Sequence, residues 1–65
     1  MERAQRLDGT MQYRARVGDA TFQFVRTAKG LERENVLARD VSKVTPADWA
    51  AARQAIADYE KANAR

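Results

Sequence analysis

Arg14 and Arg16 stand two residues apart, with Gln12 just before them and Gln23 just beyond the dipeptide Gly18-Asp19. On a strand, side chains two apart share one side, so this spacing sets planar guanidinium donors in a row beside amides. A phosphate backbone is recognised by such a row: charge-assisted contacts to phosphate oxygens, with amides left for base or sugar. Arginine also takes carboxylates bidentately and is enriched at protein interfaces. Two classes of partner therefore compete for the same residues, another protein and nucleic acid. Arg3 joins the row if Asp8-Gly9 closes a two-residue loop, because it then stands opposite Arg14.

Catalytic chemistry has little to work with. The chain has no His and no Cys, and Ser42, its serine, lacks the imidazole that would activate it. Glu32 and Glu34 share one side of a strand, where adjacent acids on an edge ordinarily discourage aggregation. Asp48 is explained by helix capping. Gly9, Gly18 and Gly30 are each isolated at a turn, so no phosphate-binding loop is present. No catalytic, cofactor-binding or metal-ligating residue is expected, and a chain of 65 residues has little room for a pocket of about 300 Å3 or more.

Charge sharpens the choice of partner. The net charge is +3. Residues 1–31 carry six cations against three acids, whereas residues 32–65 carry six of each, so the surplus falls on the first half. Nine of the twelve cations are Arg, which suits bidentate contact. No apolar run approaches the roughly 20 residues of a membrane span, and the first six residues lead into no apolar signal-peptide core. The expectation is a soluble, cytoplasmic protein that makes no membrane contact. Without disulfides or zinc, a chain this short needs an efficient core or a second copy of itself.

The elements that must position these residues follow from turn chemistry and periodicity. Asp-Gly suits a type I′ hairpin loop and Gly-X a type II′ loop. Asp8-Gly9 and Gly18-Asp19 thus predict strands over about 3–7, 10–17 and 20–27. A two-residue turn at Gly18-Asp19 sets Val17 opposite Ala20, Ala15 opposite Phe22 and Tyr13 opposite Phe24. All six share one side, and Gln12, Arg14, Arg16, Thr21, Gln23 and Val25 share the other. Between Leu31 and Val44 the pattern fits both helix and strand; a strand over 32–38 is preferred, since a sheet edge recruits the next segment. Thr45 as N-cap, Pro46 at N1 and Asp48 at N3 start a helix that runs to about Ala62. Trp49, Ala52, Ile56 and Tyr59 recur along it at helical spacing, while Arg53 is assigned to its solvent side.

That helix is the natural cover for the Tyr13/Phe22/Phe24 side of the sheet. The aromatic trio could stack nucleobases, but the helix's apolar side has no other place to go, so the trio is core. The expected core is Tyr13, Ala15, Val17, Phe22, Phe24, Leu37, Trp49, Ala52, Ile56 and Tyr59. The fold class is α+β: one small domain spanning residues 1–65, a three- or four-stranded antiparallel meander with a C-terminal helix across one face.

The order strand-strand-strand-helix, with Arg14 and Arg16 on the second strand, resembles in layout the small arm-site DNA-binding domains of phage-type integrases. That resemblance implies DNA binding by the sheet and supplies no site residues. Small phage and plasmid proteins of this make-up often inhibit host enzymes, an analogy of make-up alone; a protein partner is preferred because it demands less of the charge pattern. The expected function is a non-enzymatic binding module acting through Arg3, Gln12, Arg14, Arg16 and Gln23. A protein is its first partner and DNA the alternative, and pairing with its own copy through an open edge is a further possibility. Since truncating a buried Trp costs about 3–5 kcal/mol, Trp49→Ala is expected to unfold the chain or nearly so. A circular-dichroism melt that overlays the wild-type curve would refute that packing.

Overall fold

The computed structural model describes residues 2–63. Four strands come first: β1 (Glu2–Gln5), β2 (Met11–Val17), β3 (Ala20–Thr27) and β4 (Gly30–Leu37). A 3-10 turn at Val41–Lys43 then leads into helix α1 (Pro46–Ala62). The sheet is antiparallel with order β1-β2-β3-β4, and α1 packs on one side of it, the α+β arrangement expected.

The central hairpin follows its turn. Gly18 has φ +62°, and among the described residues no non-glycine has positive φ, which is the type II′ signature. Val17 pairs with Ala20, Ala15 with Phe22 and Tyr13 with Phe24, so the apolar residues of β2 and β3 share one side.

The β1–β2 connection departs from the expectation. Arg6 N–H donates to the Thr10 carbonyl at 2.8 Å, so the loop is Leu7-Asp8-Gly9, three residues rather than two. Gly9 takes the left-handed position at φ +87°, and the Asp8 carboxylate accepts from Thr10 N–H at 3.0 Å and from the Thr10 hydroxyl at 2.6 Å. This is the turn-plus-bulge loop that follows the two-residue hairpins in frequency. The extra residue slips β1 by one position, so Arg14 faces Glu2 and Arg3 faces Tyr13. A slip of one moves a side chain to the other side of the sheet. Arg3 therefore lies on the helix side.

β4 brings a second correction. The register shifts between Gln23 and Phe24: Gln23 pairs with Asn35 and Phe24 with Arg33, leaving Glu34 as the extra residue of a β-bulge. Strict alternation would have sent Leu37 into the core. Instead it pairs with Thr21 on the helix-free side and is 54% exposed. Val36, opposite Phe22, packs against the core together with Leu31 and Ala38.

α1 begins as its sequence dictates. The Thr45 hydroxyl accepts from Asp48 N–H at 3.2 Å, the Asp48 carboxylate accepts from Thr45 N–H at 3.0 Å, and Pro46 occupies the first turn. Across the sheet, Trp49 meets Phe22 and Phe24 edge-on, with ring centres 4.8 and 5.5 Å apart. Ala52 and Ile56 are fully enclosed between the helix and Tyr13, Ala15, Ala20, Phe22 and Phe24. The small Ala52 lets the helix approach closely. Trp49 and Tyr59 are half-buried at the two ends of this contact. Ile56→Ala is expected to cost about 2–5 kcal/mol, read as a lower urea midpoint at unchanged slope. A midpoint within error of wild type would show that α1 is held by something other than this contact.

Candidate functional site

Arg14 and Arg16 point from β2 to the side of the sheet that α1 leaves open, and both are exposed. Here the register builds rows across the strands. One runs Glu2, Arg14, Gln23, Asn35, and the next runs Arg16, Thr21, Leu37. An exposed leucine thus sits two strands from an exposed arginine.

Of the five residues expected in the site, three are displaced or engaged. Arg3 is on the other side, its guanidinium 5.6 Å from the centre of the Tyr59 ring. Gln23 lies mid-sheet and is only 8% exposed. Gln12 donates its side-chain amide to Glu34 at 2.7 Å. The same Glu34 oxygen accepts from the Arg6 guanidinium. Glu34 follows Arg33 of the helix side and so brings its carboxylate to the helix-free side of β4.

The face is consequently neutral in sum. Arg6, Arg14 and Arg16 are matched there by Glu2, Glu32 and Glu34. Arg14 stands 3.6 Å from the Glu2 carboxylate, a separation worth about 0–1 kcal/mol between exposed groups. Among the described residues Arg16 has no ion pair. What the face offers is one loosely paired and one free guanidinium, a hydroxyl and an apolar side chain. A depression lined by Glu2, Arg3, Ala4, Gln12 and Arg14 encloses about 90 Å3, well short of the roughly 300 Å3 at which ligand pockets begin. Among the described residues no group of three or more acids, His or Cys converges as a metal would require, and no helix is long and apolar enough to cross a membrane.

The cations missing from that face are on the helix side. Arg33 lies over Trp49, 4.9 Å from the ring centre, and Arg53 lies over Phe24 at 5.2 Å. Arg53 also donates Nη1–H to the Leu31 carbonyl at 2.6 Å, so it reaches back to β4 while remaining exposed. Its i,i+4 spacing from Trp49 was the signal available in the sequence. For Arg33 the signal was its alternation with Leu31, which places both on the helix side of β4.

At the far end of α1, Arg26 and Glu60 join β3 to the helix. Arg26 Nε–H donates to Glu60 Oε2 at 2.9 Å, and a second nitrogen contacts the other oxygen. The guanidinium holds the Glu60 carboxyl below the usual carboxylate range, against a smaller opposing effect of burial. Burial, and then the neighbouring Glu60 carboxylate, push the Tyr13 phenol up. Compared with known protein families, curated proteins and solved structures, the chain matches none.

Because the folded-state pKa of Glu60 is depressed, the stability it contributes is present above its ordinary value of 4.5 and is lost as pH falls through the depressed one. Glu60→Gln should therefore be less stable than wild type at neutral pH, with the gap between their thermal midpoints narrowing as the solution is acidified below that value. A gap independent of pH would show that the ion pair carries none of the effect.

Proposed function

We propose that this chain is a non-enzymatic protein-interaction module, a cytoplasmic subunit, adaptor or inhibitor of a larger machine, docking through the helix-free side of its sheet. The observation that supports the reading is the composition of that side. It balances three arginines with three glutamates and sets exposed Leu37 in the same row as Arg16 and Thr21. Surfaces that bind proteins mix apolar contact area with arginine, whereas surfaces that bind nucleic acid carry an excess of positive charge to displace counterions. The Glu34 contacts to Gln12 and Arg6 take up donors that a phosphate backbone would need.

In this reading Leu37 supplies the buried contact and Arg16 the oriented polar one, with Arg14 at the rim. Interfaces concentrate their energy in a few such residues. The test is affinity capture from extracts of the source cells with wild-type protein and an Arg16→Glu/Leu37→Asp double variant whose melting curve matches wild type. A discrete partner held by the wild type and weakened at least about tenfold by the variant, a loss of roughly 1.4 kcal/mol or more, is expected. Equal retention by both baits would remove this face from the interface.

A further inference from the structure

We propose that Arg33 and Arg53 form a second recognition element, an anchor for carboxylate side chains of an acidic peptide segment on the partner. The inference rests on the reading of the chain as a protein-interaction module and specifies the chemistry of what it takes.

The anchor is a product of the fold. α1 lies across β2 and β3 and meets β4 through side chains, so the helix side of β4 is only partly covered. Leu31, Arg33 and Val36 project there, with Trp49 and Arg53 rising from the helix beside them. Phe24 and Trp49, 5.5 Å apart, form one aromatic pair, and each carries a guanidinium on its face. An aromatic face holds a guanidinium by the cation–π attraction and leaves the N–H edge free. Arg53 uses one donor on the Leu31 carbonyl and retains the rest.

These two arginines are also unneutralised, a lack that Arg3 and Arg16 share but that only Arg33 and Arg53 combine with one aromatic pair. Arg6, Arg14 and Arg26 each have a glutamate within ion-pair distance, but among the described residues neither Arg33 nor Arg53 has a carboxylate. The acids closest in sequence are committed elsewhere. Asp48 caps α1, Glu34 faces Gln12 and Arg6, and Glu32 accepts from the Thr27 hydroxyl. Two exposed guanidiniums, oriented but unneutralised, match carboxylates on a partner in both charge and fork geometry. A partner added as an extra strand would find two backbone groups of the β4 edge already occupied. The Leu31 carbonyl is already taken by Arg53, and Val36 N–H by the Asn35 side chain at 2.8 Å. A peptide is favoured over nucleic acid because Glu32 and Glu34 stand on the other side of the same strand, where an extended run of phosphates would meet them.

Trp49 is the single tryptophan of the chain, so its fluorescence reports directly on the anchor. The experiment titrates the protein with blocked hexaglutamate, with blocked hexaglutamine and with a single-stranded oligonucleotide of equal charge. A saturable change with hexaglutamate alone, weakened at least tenfold in Arg33→Gln and in Arg33→Gln/Arg53→Gln but unchanged in Arg16→Gln, is expected. Arg53 also shields Phe24, so thermal melts accompany every variant, and Arg33→Gln decides the matter if the double variant does not fold. No response to hexaglutamate at low salt, an undiminished response in Arg33→Gln, or tighter binding of the oligonucleotide would each overturn the proposal. The Arg16→Glu/Leu37→Asp capture reads the opposite side of the sheet, so a failed anchor and a failed interaction face give separate results.

Discussion

One helix has to provide the core for a four-stranded sheet, and it can cover only one side. The decisive contact is the edge-on packing of Trp49 against Phe22 and Phe24, continued by Ala52 and Ile56 beneath the helix. Fully burying each large side chain contributes about 1.5–3 kcal/mol, and Phe22, Phe24 and Ile56 are all fully enclosed. No disulfide supplements them. The side left uncovered follows directly: it must be wetted by polar groups or closed by something else. Its mixture of arginine, glutamate and leucine suits the second, and we propose that a partner closes it.

Where the chain obeyed strict alternation, its sequence was a sufficient guide. Gly18-Asp19 defined the β2–β3 register, and with it the partners of Tyr13, Ala15 and Val17. The Thr45–Asp48 capping box and the spacing of Trp49, Ala52, Ile56 and Tyr59 located α1. Two single-residue events broke the alternation. Asp8-Gly9 reads equally well as a two-residue loop or as the end of a three-residue one, and the choice of the longer loop carried Arg3 to the helix side. Glu34 is indistinguishable by composition from an ordinary strand residue, yet as a bulge it exchanged the roles of Val36 and Leu37. Such events are set by tertiary fit, because the bulge lets both Val36 and Leu31 reach the core.

The electrostatics were rearranged by the first of these events, the longer β1–β2 loop. Counted along the chain, the positive surplus belongs to residues 1–31; counted in space, the helix-free side is balanced. Arg3 has moved to the helix side and Glu2 has taken its place beside Arg14, while Glu32 and Glu34 stand on the helix-free side of β4. Arginines on the helix side divide into those held by acids and those held by rings. Arg26 is engaged by Glu60, while Arg3, Arg33 and Arg53 rest on Tyr59, Trp49 and Phe24. A guanidinium on a ring shields apolar surface without surrendering its charge.

The central claim is that the helix-free side recognises protein rather than a phosphate backbone, and its most direct test is fluorescence anisotropy of labelled duplex and single-stranded oligonucleotides over a salt series. A balanced face predicts no saturable binding even at low ionic strength, and identical traces for wild type and Arg14→Ala/Arg16→Ala. Micromolar binding that falls steeply with salt, as counterion release requires, and that disappears in the double variant would contradict the account and make this face a nucleic-acid surface.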